Sequence, residues 1–261
     1  MNPALILVIE GNTAIRTGDG KTFPMENEAV HCVSAWRRLG GKYKNIPIYC
    51  VCPSRNTPSK KAINILKSFG VKYYQKFLLE SDSFKCGWYN KPLGCQWLEE
   101  WIPEDVLIHI DLDAYLIKEP TELFFYVPES FDAKIQEEKN GTEYNTGFIV
   151  ANKNKGFYKK WFNHLMEDSA SLTNRVEIAN LEELILGSKD RLNSFNILNW
   201  ATSRIDSPGN NFNTKDYDFI FSESNKENYF FIHAHLTQKD IRFIILMEAK
   251  AQSRRINKCD F

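Results

Sequence analysis

Apolar and polar positions along the first third of the chain follow two different periodicities. Short runs of branched apolar residues predict β-strands, and longer segments with an apolar residue at every third or fourth position predict amphipathic helices between them. This alternation at short spacing predicts a parallel sheet with helices on both faces. The predicted strands cover 4–10, 46–52 and 71–74, and the predicted helices cover 26–39 and 59–69, with Ser59 as an N-cap.

In the rest of the chain, strand-like and helix-like segments alternate less regularly. Its strongest signal is the run from Val106 to Ile110, which is mostly branched and apolar and predicts a strand buried on both faces, continued through Asp113. No linker-like stretch interrupts the pattern, so one domain over residues 1–261 is expected. Further strands are predicted at 131–136, 144–151, 219–221 and 229–232, helices at 95–101, 156–167 and 178–186, and a polar loop at 12–24.

Two aspartates, Asp111 and Asp113, close the apolar run. Because side chains alternate along a strand, the two carboxylates are predicted to point the same way. Like charges on one face repel each other unless a cation lies between them, and oxygen ligands suit Mg²⁺ or Mn²⁺. Since such ions commonly bridge to phosphate oxygens, the pair indicates an enzyme that binds a diphosphate.

Composition narrows the classes of function. The chain has 261 residues with 33 basic and 33 acidic side chains, and this zero net charge argues against a dedicated nucleic-acid binder. Hydrophobic content of 43% and charged content of 25% are typical of a soluble globular protein. The apolar start, 4–9, is too short for a signal peptide or a transmembrane segment, and the six cysteines lack zinc-like spacing. The expectation is a cytoplasmic protein with reduced thiols and no membrane anchor.

An aspartate pair after an apolar strand occurs in more than one class of enzyme. Haloacid-dehalogenase phosphatases use the first Asp as a nucleophile, but their pair lies near the N-terminus and a Thr or Ser follows it, where this chain has Ala114. Translesion polymerases also have an early pair and need a basic surface. A nucleotide-sugar transferase has its pair after a complete nucleotide-binding half. The second pair here, Asp216 and Asp218, follows polar residues and predicts a solvated turn.

The motifs around the first pair resemble those of GT-A glycosyltransferases, most closely the family 8 pattern of glycogenin and galactosyltransferases. They come in the family's order, from about residue 85 to 240. This chain departs from the family's His-Phe-x-Gly-x-x-Lys-Pro at Ala234, Leu236 and Asp240. The matching pieces are Asp111-Leu112-Asp113, Pro120 with Glu122-Leu123-Phe124, Tyr144-Asn145-Thr146-Gly147-Phe148, Glu182-Glu183, Leu198-Asn199-Trp200, and Ile232-His233 with Lys239.

The resemblance implies an α/β GT-A fold, in which a Rossmann-like nucleotide-binding half (about 1–115) with a mixed, mostly parallel sheet merges with an acceptor-binding half (about 116–261). It also implies Mn²⁺, or Mg²⁺, held by Asp111, Asp113 and His233, with His235 as a rival ligand. Lys239 is expected at the diphosphate, and Glu182 or Glu183 at the donor or acceptor. The expected donor-binding residues are Glu10, Gly11, Asn12, Asn90, Lys91, Asn145, Thr146 and Gly147.

The implied reaction moves a sugar from a nucleoside-diphosphate sugar, with UDP favoured, to a hydroxyl of a glycan, protein or lipid acceptor. The family pattern favours retention of the anomeric configuration. An inverting enzyme needs a carboxylate base, for which Glu182 and Glu183 are the nearest candidates. Two alternatives stay open: a phosphohydrolase of the haloacid-dehalogenase type, and a sugar-nucleotide-fold protein that binds a partner without chemistry.

Overall fold

The described part of the chain contains twelve strands and five α-helices, besides short 3-10 helices at Gly41–Tyr43 and Lys153–Lys155. The computed structural model describes residues 1–9, 13–15, 22–76, 90–116, 119–129, 131–138, 143–167, 192–195, 201–202 and 231–233. The strands are β1 Pro3–Val8, β2 Thr13–Ile15, β3 Thr22–Pro24, β4 Ile48–Cys52, β5 Val71–Gln75, β6 Val106–Ile110, β7 Ala114–Leu116, β8 Ala133–Glu138, β9 Glu143–Asn152, β10 Leu192–Phe195, β11 Ala201–Thr202 and β12 Phe231–His233. The helices are α1 Met25–Leu39, α2 Lys60–Ser68, α3 Asn90–Trp101, α4 Glu122–Phe125 and α5 Phe157–Glu167.

Seven of the strands form one main sheet, in the order β10-β8-β9-β6-β1-β4-β5. β1 pairs in parallel with β4 and β6, β5 is parallel to β4, and β10 is parallel to β8, whereas β9 runs antiparallel to both β6 and β8. The predicted mixed, mostly parallel sheet is therefore confirmed. The carboxyl ends of β1, β4, β5 and β6 lie at one edge of the sheet, together with the amino end of β9, and we call this the carboxyl edge. The opposite end is the amino edge.

Alternation along β1 builds a core on each face of the main sheet. Leu5 lies in a buried cluster with Trp36 of α1. The next residue, Ile6, lies in a second cluster with Leu98 of α3 and Trp161 of α5. Because successive side chains of a strand point to opposite faces, an unbroken apolar run such as that of β1 fits a strand covered by helices on both sides.

The helices of the first half begin and end where the sequence indicates. Ser59 caps α2, because its hydroxyl accepts a hydrogen bond from the Ala62 amide at 3.2 Å, which confirms the predicted N-cap. Gly70 follows α2 with φ +75°, a left-handed conformation that favours glycine. In α1, acidic residues lie in the first turn and Arg37 and Arg38 in the last, as the helix dipole favours.

Several predicted boundaries are wrong. The strand predicted to reach Asp113 ends at Ile110. Helix α3 begins at Asn90, not at Cys95, so Pro92 lies in its first turn, where a missing amide costs no hydrogen bond. The predicted polar loop at 12–24 contains the β2–β3 hairpin. The predicted helix at 178–186 and strand at 219–221 lie outside the described residues.

Strands from both sides of residue 115 share the main sheet, and the single domain with two functional halves remains a prediction. β7, β11 and β12 form a separate three-stranded sheet that directly follows the aspartate pair. Within the described residues, no helix is both long and apolar enough to cross a membrane.

Candidate functional site

The aspartate pair lies on a tight turn at the carboxyl edge. The amide of Ala114 donates to the carbonyl of Asp111 at 2.9 Å, and the amide of Asp111 donates to the carbonyl of Gly147 at 2.8 Å, which ties the turn to β9. Since the two aspartates are not on a strand, the alternation argument for their common direction is wrong. They differ in environment as well, because Asp113 is buried while Asp111 is partly exposed.

A buried lysine from the start of α3 meets this turn. The ammonium of Lys91 lies 2.9 Å from Oδ1 of Asp111 and donates a hydrogen bond to Oγ1 of Thr146 at 3.3 Å. Lys91 and Thr146 are both buried. Three predicted site residues that are far apart in sequence thus come together, and the Lys91 ammonium offsets the charge of one of the two carboxylates.

Close packing of α3 on the sheet explains how Lys91 reaches the turn. Gly94 faces β1 and β4, and a Cβ at this position would lie 2.7 Å from Cγ1 of Val8. Real Cβ atoms do not approach so closely, so only glycine lets the first turns of α3 lie directly on these strands. The N-terminus of α3, with the positive end of its dipole, therefore lies at the carboxyl edge, where anions are favoured.

A buried histidine, His109, lies beneath the pair and was missed by the sequence analysis. Its Nε2 lies 3.4 Å from Oδ1 of Asp111, and neither ring nitrogen makes a hydrogen bond within the described part of the chain. In the sequence, His109 lies within the apolar run Val106–Ile110 and does not stand out from it. The available signal was an imidazole only two positions before Asp111, near enough along the chain to contact that carboxylate.

Helix α1 packs against β7, the strand that follows the aspartate turn. Burial raises the pKa of Cys32 well above its usual value, and the charges of Cys50, Asp113 and Asp111 raise it further. Both aspartates of the turn thus disfavour a negative charge at this position of α1. The Cys32 thiol is therefore held protonated and is unsuited to act as a nucleophile or as a thiolate metal ligand.

The predicted third metal ligand, His233, lies at the end of β12. This strand runs antiparallel to β7, and His233 is paired with Ala114, the residue that follows Asp113. Paired residues of antiparallel strands have Cα atoms about 4.5–5.5 Å apart, so the backbone of His233 lies beside the aspartate turn. Among the described side chains, no group of three or more His, Cys, Asp or Glu could hold a metal ion. Two carboxylates in one turn nevertheless fit a hard divalent cation, which prefers oxygen ligands.

The remaining predicted site residues fall into two groups. Asn90 is the buried first residue of α3, Gly147 is the carbonyl partner of Asp111, and Asn145 lies on β9, paired with Gln136. All three belong to elements that begin at the carboxyl edge. Glu10, Gly11, Asn12, Glu182, Glu183, His235 and Lys239 lie outside the described residues.

Several glycosyltransferases of known structure have a similar fold. The apo form of GlyE from Streptococcus pneumoniae TIGR4 superposes with a TM-score of 0.60 at 12% identity, covering 98% of this chain and 63% of that one. The galactosyltransferase LgtC, solved with donor and acceptor sugar analogues, gives 0.57 at 11% identity and covers 95% of each chain. A glycosyltransferase involved in the glycosylation of the major capsid of PBCV-1 gives 0.53 at 11% identity, covering 95% of this chain and all of that one.

This chain accordingly spans less than two thirds of the length of GlyE, while it matches LgtC over nearly its whole length. No protein-family model and no curated protein sequence matches the chain, so the likeness lies in the fold and not in the sequence. The architecture, with a mostly parallel sheet and an aspartate turn at its carboxyl edge, is the GT-A fold of glycosyltransferases.

Proposed function

We propose that the protein is a metal-dependent glycosyltransferase that moves a sugar from a UDP-sugar to a hydroxyl of a glycan acceptor, with retention of configuration. One observation supports this proposal above the others. A turn with two carboxylates lies at the carboxyl edge of a GT-A sheet, where ligands of open α/β sheets bind. A fold alone does not fix a function, so the proposal depends on what these side chains can do.

The aspartate turn is the proposed metal site. Asp111, Asp113 and His233 would hold Mn²⁺ or Mg²⁺, and when bound such an ion supplies Lewis-acid stabilisation of the departing diphosphate. Asp111 would bind with one carboxylate oxygen beside Lys91. Because the Lys91 ammonium lies on the same carboxylate, it would hold Asp111 in one orientation before the donor arrives.

Lys91 has a second role in this proposal. Its ammonium is buried between Asp111 and Thr146, and it lies at the N-terminus of α3. Both features favour an anionic or polar donor group at the carboxyl edge. Asn90, Asn145, Thr146 and Gly147 would line the donor pocket on this side, and Glu10, Gly11 and Asn12 would follow β1 at the same edge. Lys239 would contact the diphosphate.

On the acceptor side, two adjacent carboxylates are available. Glu182 or Glu183 would contact the sugars. In a retaining reaction the departing phosphate takes the proton of the acceptor hydroxyl, so the protein needs no base of its own. If one of these carboxylates proved to be a base, the reaction would instead proceed with inversion.

The test measures sugar transfer and donor hydrolysis from a panel of UDP- and GDP-sugars with Mn²⁺, and compares wild type with Asp113→Asn. We expect kcat/KM of D113N to fall by about 10²–10³-fold, as for the loss of a group that stabilises transition-state charge. Asn keeps the volume of this buried side chain, so the melting temperature should stay close to that of wild type. Asp218→Asn, in the other Asp-x-Asp pair, is the matched control and should keep full activity.

Three results would contradict the proposal. Wild-type turnover in D113N would remove the metal site from the mechanism. Release of phosphate from simple phosphomonoesters, with no use of sugar nucleotides, would instead indicate the phosphohydrolase. Tight binding of UDP-sugars without transfer or hydrolysis would indicate a binding protein that does no chemistry.

A further inference from the structure

A polar side chain lies within the apolar layer between the main sheet and helices α3 and α5. On β6, Leu107 and His109 point to the same face of the sheet, because the side chains of a strand alternate. The neighbouring strands place Ile6 and Ile149 beside His109, and both belong with Leu107 to the buried cluster of this layer. The imidazole is only 1% exposed, so it occupies a position where the strands on either side have isoleucine.

Within the described part of the chain, no hydrogen bond offsets the burial of this ring. Neither Nδ1 nor Nε2 of His109 has a hydrogen-bond partner there, and a buried polar group without a partner destabilises the folded state. Most buried polar side chains are hydrogen-bonded, and the exceptions are concentrated where function requires them. An apolar residue of similar volume would fit this layer better, so packing alone does not explain His109.

A charged group lies close to the ring. Nε2 of His109 lies 3.4 Å from Oδ1 of Asp111, slightly beyond the usual N–H···O hydrogen bond, which extends to about 3.2 Å. A small rotation of the carboxylate would close this gap, and hydrogen bonds of functional sites are often long until a ligand binds. A neutral imidazole has one N–H, and the tautomer that carries it on Nε2 can donate it to Asp111.

Two nitrogen donors therefore converge on one oxygen of Asp111. The ammonium of Lys91 lies 2.9 Å from the same Oδ1, and it comes from α3, whereas the imidazole of His109 comes from the sheet itself. A carboxylate oxygen has two lone pairs and can accept both donors. Because two donors in different directions fix the rotation of a carboxylate, they also fix the direction of its other oxygen, Oδ2.

We propose that His109 is a positioning residue of the metal site, whose Nε2–H donates to Oδ1 of Asp111 and holds this carboxylate in the orientation that binds a divalent cation. Hydrogen bonds to ligating carboxylates orient them in this way, and their loss lowers metal affinity or activity by about 10–100-fold. The inference rests on the proposed function, because it takes the aspartate turn as the cation site. His109 acts through Asp111 and contacts neither the cation nor the donor.

The test compares two substitutions of His109 by their Mn²⁺ affinity, measured from the EPR signal of free Mn²⁺, and by their urea midpoint without metal. Leucine removes the donor and keeps the layer apolar, whereas glutamine keeps an N–H near the position of Nε2. We expect His109→Leu to weaken Mn²⁺ binding about 10–100-fold, yet to unfold at the same urea concentration as wild type or at a higher one. His109→Gln should recover most of the affinity.

Two further measurements separate positioning from general damage to the core. Trp161→Phe is the matched control, because it alters another buried ring of the same cluster whose nitrogen has no hydrogen-bond partner in the described part of the chain. It should bind Mn²⁺ like wild type. Raising the Mn²⁺ concentration should restore donor hydrolysis by H109L, whose defect is weak cation binding, but not by D113N, which lacks a ligand.

Wild-type Mn²⁺ affinity in H109L, with D113N still impaired, would overturn this inference and leave the proposed function intact. Equal weakening in H109L and H109Q, or in W161F, would show that packing and not a hydrogen bond is responsible. If pulsed EPR of bound Mn²⁺ showed an imidazole coupling that H109Q removes, His109 would be a metal ligand and not a positioning residue. Failure of the wild type to bind Mn²⁺ would overturn both this inference and the metal-dependent function.

Discussion

The two edges of the main sheet both bury polar side chains, but they group them differently. At the carboxyl edge, the ammonium of Lys91 meets the carboxylate of Asp111 directly, with Asp113 in the same turn. At the amino edge, Tyr49 donates a hydrogen bond to Glu104, and Arg37 donates to backbone carbonyls just before β4 and β5. The first grouping gathers charges, and the second ties chain segments together.

The difference has an energetic meaning. Hydrogen bonds from a side chain to neighbouring segments stabilise the fold by about 1 kcal/mol each. Two carboxylates in one turn do the opposite, because like charges repel, and such an arrangement persists when a ligand or a reaction requires it. We therefore expect substitutions at the amino edge to change stability alone, and substitutions at the carboxyl edge to change activity as well.

Lys91→Met gives the largest expected effect. It removes the partner of the Asp111 carboxylate, whose side chain is only 16% exposed, and leaves that charge in a poorly solvated place. We expect the free energy of unfolding to fall by about 3 kcal/mol and kcat/KM to fall together with it. Urea denaturation and turnover of the best donor measure the two effects separately.

The double variant K91M/D111N sharpens this prediction. With no charge left unpaired, it should recover much of the lost stability but none of the lost activity. Lys159→Met is the matched control, because its ion pair with Glu100 is long and exposed and should contribute less than about 1 kcal/mol. An active K91M, or a double variant less stable than either single one, would show that Lys91 has no role in the activity of the carboxyl-edge site.

The sequence predicted the first half of the fold well because the relevant interactions there are local. Ser59 as an N-cap and the helix signals of α1 and α2 involve residues a few positions apart. The β2–β3 hairpin was missed because its strands have three residues each, too few for an alternating pattern to be visible.

The site was predictable in residue type but not in geometry. The apolar run indicated a strand ending near Asp111, yet the turn that follows is held by a carbonyl of Gly147, far along the chain. Likewise, Lys91 was assigned to the donor pocket from a motif, and its ion pair with Asp111 depends on the close approach of Gly94 to Val8. Contacts of this kind are set by packing across the sheet, which periodicity does not report.

The buried carboxyl of Glu99, near the amino edge, makes the stability of the protein depend on pH. Its buried carboxylate accepts hydrogen bonds from the amides of Tyr158 and Lys159 at the start of α5. Burial raises its pKa from 4.5 to about 7, although these amides oppose the shift. The unfolded chain releases this proton near pH 4.5 while the folded chain keeps it, so the contribution of Glu99 to stability is largest at low pH and is lost as the pH rises through that window.

Glu99→Gln should remove this dependence. As the pH rises from 4.5 to about 7, the free energy of unfolding of E99Q should increase relative to that of wild type by up to about 3 kcal/mol. Urea denaturation across this pH range measures the difference. Glu100→Gln, its exposed neighbour, should show no such trend. A constant difference between E99Q and wild type at every pH would show that burial does not control the protonation of Glu99.

Tyr49→Phe has the smallest expected effect, and it tests directly whether the amino edge contributes to stability alone. The buried Tyr49 hydroxyl donates to Oε1 of Glu104 at 3.0 Å and accepts from Nζ of Lys72 at 2.9 Å. Its loss leaves a buried carboxylate oxygen without its donor, which should cost about 1–2 kcal/mol of stability. Because the group joins β4 to the segment before β6 at the amino edge, kcat/KM should equal that of wild type.

Tyr73→Phe is the matched control for that variant, since the Tyr73 hydroxyl donates to the exposed Gln75 at 2.6 Å, where water can replace the bond. We expect no measurable change in its urea midpoint. If Y49F lowered kcat/KM as strongly as K91M, the two edges would be coupled through the sheet. The division of the molecule into a stabilising edge and a reactive edge would then fail, because a hydroxyl that touches no ligand would be controlling the aspartate turn from the far ends of the same strands.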